Sequence, residues 1–259
     1  MEIPIYQVDA FAEEPFEGNP AAVCPLSDWL DDSLLRNIAA ENNLSETAFF
    51  VEREGEYELR WFTPENEVDL CGHATLATAY VIFEELDYER DVLKFKTQSG
   101  ELEVYREGNY FSMDFPSRPP EPSDRDKSII GGLGVEPASV FESRDYMAVY
   151  DSEEQIKAID PDMNLLKRGD WTGIIVTAEG KEVDFVSRFF APGEGIPEDP
   201  VTGSAHCTLV PYWSERLGKK NLKARQVSSR GGQLVCQDLG DRVKIKGSAV
   251  LFMKGGVRL

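Results

Sequence analysis

Few residues in this sequence could move a proton or hold a small anion. The chain has two histidines, His73 and His206. His73 follows Gly72 where a helix is expected to start. An imidazole there could act as acid or base, and the positive end of the helix should favour its neutral form. His206 lies a turn inside the second such helix and reads as a packing residue. Cys71 precedes Gly72, and a thiol at a helix N-terminus can be activated. Its counterpart in the second half is Thr202, so a two-base racemase built on paired thiols is not supported, and Cys207 is out of register by about one turn. Gly72-His73 and Gly203-Ser204 open their helices with glycine, which lets a ligand approach the unpaired N–H groups closely. Two such ends would hold a carboxylate. The competing reading is that Asp199, Thr202 and Ser204 only cap a helix. Glu46 sits at the edge of a strand between two apolar runs. It is either a proton carrier or a solvated surface glutamate.

The elements that carry these residues occur twice. Residues 60–77 read RWFTPENEVDLCGHATLA and residues 188–205 read RFFAPGEGIPEDPVTGSA. Both run arginine, two aromatics, a small residue, proline, an acidic loop, then glycine, one residue and alanine. The copies lie about half the chain apart. Residues 57–62 and 183–189 alternate like strands. Helices are expected at 72–86 and 203–217, apolar almost all round in their first turns, as central helices are. Pro211 predicts a kink or break in the second. Further strands are expected at 3–8, 48–52, 93–97, 102–106, 110–115, 173–177, 233–237 and 242–247, and a surface helix at 32–42. The proline-rich stretch 116–122 reads as a linker. The fold class is therefore α+β, with two pseudo-duplicated domains, each a curved, mostly antiparallel sheet wrapped around a central helix. The expected boundaries are 1–116 and 117–247, with the strand near 248–259 joining the first domain.

Composition narrows the partners. The 259 residues carry a net charge of −20, which repels nucleic acid and anionic lipid. No run approaches a membrane span, and the N-terminus lacks the pattern of a signal peptide. Cys24, Cys71, Cys207 and Cys236 form neither a CxxC pair nor a zinc-spaced cluster, so no metal site is expected, and reduced thiols in a cytoplasmic protein are.

Five segments together resemble the PhzF family of phenazine biosynthesis, which has the diaminopimelate-epimerase-like fold. They are Val8-Asp9-Ala10-Phe11 with residues 15–23 (PFEGNPAAV), 44–49 (LSETAF), 60–64 (RWFTP), 71–77 (CGHATLA) and 198–206 (EDPVTGSAH). The resemblance implies like domains with the site between them, a homodimer, and a proton-shift isomerisation that uses no cofactor or metal. It implies that Glu46 carries the proton and that His73 and Asp199 assist catalytically. Gly72, Gly203 and Ser204 would bind the polar groups of the substrate. The related epimerases have a cysteine at each helix start, and this chain keeps Cys71 alone. The expected function is a cofactor-independent isomerase acting on a small cyclic or amino-acid-like carboxylate, with Glu46 as general acid and base. The alternatives are an amino-acid racemase or epimerase using Cys71, and a non-catalytic small-molecule-binding or interaction protein.

Overall fold

The computed structural model describes residues 1–124, 127–169 and 171–259. The chain divides into two compact units, Met1–Asp114 with Lys246–Leu259, and Phe115–Ile245. In chain order the first unit contributes β1 (Glu2–Ala10), β2 (Asn19–Leu26), α1 (Asp32–Asn42), β3 (Glu46–Arg53), β4 (Glu56–Phe62), β5 (Glu67–Val68), α2 (Gly72–Tyr80), β6 (Val92–Thr97), β7 (Gly100–Glu107) and β8 (Tyr110–Pro116), which ends at the boundary. Then follow β9 (Glu121–Pro122), α3 (Lys127–Leu133), β10 (Ser139–Glu142), β11 (Tyr146–Val149), α4 (Glu153–Ala158), α5 (Met163–Leu166), β12 (Ile174–Glu179), β13 (Phe185–Ala191), β14 (Ile196–Asp199), α6 (Gly203–Leu217), β15 (Asn221–Gln226), β16 (Gly232–Asp238) and β17 (Arg242–Gly247). Finally β18 (Ala249–Arg258) runs antiparallel to β1 in the first unit.

The two units repeat one connection pattern. In the first, β1 pairs antiparallel with β2, and α1 leads to β3, parallel to β2. β4 returns antiparallel to β3, β5 folds back on the end of β4, and α2 crosses over so that β6 lies parallel to β4. In the second, β10 pairs antiparallel with β11, and α4 and α5 lead to β12, parallel to β11. β13 returns antiparallel, β14 folds back on it, and α6 crosses over to place β15 parallel to β13. Gly72 and Gly203 are the first residues of the two crossover helices.

Local chemistry explains these elements. α1 turns Leu35, Ile38 and Ala39 onto a core with Ile3, Ile5, Cys24, Phe49 and Phe62. Asp31 caps its first turn, its carboxylate accepting from Ser33 N–H at 2.8 Å. α2 is buried on every side from His73 to Ala79, which is why it reads as apolar all round. Its two buried threonines satisfy their hydroxyls within the helix, on the carbonyls of Cys71 and Ala74. The second core gathers Ile129, Leu133, Ile156, Leu166, Ile174, Val176 and Phe190.

Four sequence expectations shift. The helix expected over 72–86 ends as an α-helix at Tyr80 and continues as a single π-turn, Val81–Glu85. The strand expected at 183–189 is displaced to Phe185–Ala191. Pro211 does not break α6. The carbonyl that proline leaves unpaired one turn earlier, that of Cys207, accepts the backbone N–H of Arg118 at 2.9 Å. The stretch 116–122 is consequently tied down rather than a free linker. Ser117 N–H donates to Asp241, and Glu121–Pro122 pairs with Phe141–Glu142.

Candidate active site

In the first unit three neighbouring elements deliver one cluster. α1 ends at Asn43 in the left-handed conformation, φ 50°, which turns the chain into β3, whose first residue is Glu46. β2 lies parallel alongside, with Ala21 opposite Glu46. The extended Cys71 precedes α2 and starts it without a side-chain cap. The result brings Glu46 Oε2 to 3.0 Å from His73 Nε2, and Cys71 Sγ to 3.5 Å from His73 Nδ1. Buried Asn19, the first residue of β2, places Nδ2 3.3 Å from the same Nδ1. Gly18 sets that position. Its φ is +65°, and a Cβ there would come within 2.2 Å of the Ala10 carbonyl oxygen. The Glu46 side chain keeps 12% of its surface exposed, while His73 and Cys71 are buried.

The charge state of His73 departs from the sequence expectation. Burial alone would favour the neutral ring, but the adjoining Cys71 and Glu46 hold its pKa well above the ordinary value. Cys71 is itself pushed up, by burial and then by the charge of Glu46, so it stays a thiol at neutral pH. The Glu46 carboxylate 3.0 Å away favours the protonated ring, against the neutral form that the helix dipole alone would give. Glu46, Cys71 and His73 also present three donor atoms within 4.8 Å of one another, the arrangement that could hold a metal ion.

In the second unit Asp199 ends β14, and Thr202 precedes α6. The Thr202 hydroxyl donates to Asp199 Oδ2 at 2.5 Å and does not cap the helix. Gln226 fixes this turn from β15. Its Oε1 accepts Thr202 N–H at 2.9 Å, and its Nε2 donates to the Asp199 carbonyl at 2.7 Å. Both crossover helices thus begin without a side-chain cap from the residue before the glycine, which leaves the N-terminal field of each open to an anion. Ser204 Oγ accepts from the Arg144 guanidinium at 3.1 Å, and Arg144 in turn pairs with Asp145. His206 donates Nδ1–H to the Thr202 carbonyl at 2.8 Å, and burial lowers its pKa to about 4. It is a packing residue, as the sequence indicated.

The structure thus brings Glu46, Gly72 and His73 together in the first unit, and Asp199, Gly203 and Ser204 in the second. Sequence reasoning missed Asn19 and Arg144. Asn19 lies inside the segment 15–23 but carries no charge to draw attention. Arg144 stands in a turn outside the repeat. The arginines of the repeat have a structural role. Arg60 forks onto Glu67 at 2.6 and 2.7 Å, and Arg188 onto Glu198 at 2.7 and 3.0 Å. Each braces the loop between its strand and the crossover helix.

Known proteins fit this architecture. The family model for "Phenazine biosynthesis-like protein" matches residues 8–255. An uncharacterized isomerase of Pseudomonas aeruginosa is 55% identical over 259 residues, covering 100% of both chains. The crystal structure of a phenazine biosynthesis PhzF-family protein from Enterococcus faecalis superposes with a TM-score of 0.98 at 50% identity, covering 100% of both. A hydroxyproline epimerase from Agrobacterium vitis shares the fold alone, with a TM-score of 0.65 at 10% identity over 99% of this chain and 92% of its own. The duplicated α+β architecture is the diaminopimelate-epimerase-like fold. The chain belongs to the phenazine biosynthesis-like (PhzF) family, among relatives that carry the name isomerase.

Proposed function

We propose that the chain is an isomerase that shifts a proton on a small cyclic or amino-acid-like carboxylate, needs no cofactor, and uses Glu46 as general acid and base. The observation that carries this reading is the Glu46–His73 pair, 3.0 Å apart beside the uncapped start of α2. A carboxylate with one solvent-facing edge can take a proton from a carbon acid, and an imidazolium behind it stabilises the negative charge as it moves. His73 orients the Glu46 carboxyl through Nε2 and shares the proton. Gly72 lets a substrate oxygen approach the N–H groups that open α2, and Gly203 and Ser204 do the same for α6. Asp199, tied to Thr202 and Gln226, assists proton transfer and contacts the substrate.

The test is solvent deuterium incorporation into a panel of cyclic amino acids and dihydroaromatic acids. Glu46→Gln is nearly isosteric and cannot accept the proton. It should slow exchange by roughly 10²–10⁴-fold or more while the folded state and carboxylate binding persist. Exchange as fast as in the parent protein would remove Glu46 from the mechanism.

A further inference from the structure

We propose that Glu46, Cys71 and His73 together form a capture site for a thiolate-preferring divalent cation, zinc being the first candidate, and that its occupation shuts off proton transfer. The three donor atoms lie within 4.8 Å of one another, with the carboxylate already 3.0 Å from the imidazole. A tetrahedral zinc ion with bonds of about 2.0–2.3 Å sets its donors roughly 3.3–3.6 Å apart, so the imidazole, which now meets Glu46 through Nε2 and Cys71 through Nδ1, must turn to offer one nitrogen to the ion while the other two donors close in. Sulfur, nitrogen and oxygen in a mostly buried setting are the donors that zinc selects over magnesium or calcium. When the ion binds, the thiol proton and any proton on the ring leave to solvent. Thiolate and carboxylate then balance the two positive charges, with neutral imidazole as the third ligand. Glu46 keeps an exposed edge, which gives the ion a way in and leaves a fourth position for water. The net charge of −20 raises the local concentration of cations.

The binding half of this proposal stands without the isomerase reading, whereas the inhibitory half rests on it, because the lone pairs that bind the metal are those that would carry the proton. Cobalt(II) tests the first half. Titrating the chelator-treated protein should yield thiolate-to-cobalt charge-transfer absorption saturating at one ion per chain, bleached by zinc. The absorption should vanish in Cys71→Ser and persist in Cys24→Ser, whose thiol lies under α1. His73→Asn and Glu46→Gln, both near-isosteric, should each weaken binding on the order of tenfold or more. A wild-type protein without the absorption, or variants of His73 and Glu46 that bind as tightly, would overturn the site. For the second half, zinc at saturation should suppress deuterium exchange and chelator should restore it. Undiminished exchange in zinc-loaded protein overturns the inhibition and leaves the site standing. A protein that binds cobalt as described but exchanges with no substrate in any state counts against the isomerase reading instead.

Discussion

Among single residues, burial decides what each titratable group can do. Cys71 touches the imidazole but is kept as a thiol by burial and by Glu46, and Thr202 occupies the matching position in the other copy. Cys71→Ser should therefore retain deuterium exchange within about tenfold of wild type. A loss comparable to that of Glu46→Gln, roughly 10²-fold or more, would show that the thiol carries a proton. His206 shows the opposite case, a histidine kept neutral. Its folded value of about 4 lies below the ordinary 6.5, so the unfolded chain takes up the proton first as pH falls. Its contribution to stability is complete above pH 6.5 and is lost as pH drops toward 4. At about 1.4 kcal/mol per pKa unit, the swing is roughly 3 kcal/mol. Urea unfolding of wild type and His206→Asn across this window should show the variant with the shallower pH dependence. Parallel curves would mean that His206 does not titrate there. At this scale the sequence was partly legible. His73 and Cys71 stood out by type and position, and Glu46 was favoured as proton carrier only through the resemblance. Residues 46 and 73 are far apart in the chain, and no local pattern announces that a strand start and a helix start will meet.

The strength of the repeat signal among the elements has a mechanical reason. The arginine, the aromatics and the acidic loop residue form a brace, with Arg188 also donating to the carbonyls of Ile156 and Ile159 at 3.1 and 2.7 Å, and its guanidinium 4.9 Å from the Phe190 ring centre. Removing it strands Glu198 and two carbonyls in a half-buried setting. Arg188→Ala should cost on the order of 3 kcal/mol in denaturant unfolding. Arg188→Lys should recover little of this, because an ammonium cannot span the fork. A loss under about 1 kcal/mol for the alanine variant would reduce the brace to a surface pair. Elements without such a signal were harder to read. β2 carries Pro20 and Pro25, which argue against a strand, and its interior is buried on both faces, so nothing alternates. β11 is four buried residues in a row, with a parallel partner and no period of two. β15 does alternate, but its inward residues after Leu222 are Ala224 and Gln226, too weakly apolar to mark a face.

For the molecule as a whole, the acidic composition and the homodimer that the resemblance implies pull in different directions. A charge of −20 on each 29.0 kDa chain opposes association, so a homodimer needs a contact that outweighs the repulsion. Light scattering at micromolar concentration and physiological salt should give about twice the mass of the chain, with the dimer fraction rising as salt screens the charge. A particle of 29.0 kDa under all these conditions would rule out the homodimer that the resemblance implies. Among the described residues no helix is long and apolar enough to cross a membrane, in keeping with the sequence expectation.

The pairing of β1 with β18 sets an order of events during synthesis. The first unit holds its own final strand at the far end of the chain, and the Met1 and Leu259 backbones bond to each other at 2.7 and 2.9 Å. While the ribosome is still at work, residues 115–245 can emerge as a complete unit, whereas β1 waits with one edge unmatched until residues 249–258 have emerged. A nascent chain truncated before Ala249 therefore leaves that edge open for pairing with another polypeptide. The join that closes the first unit must therefore wait for a strand that follows the whole second unit in the chain.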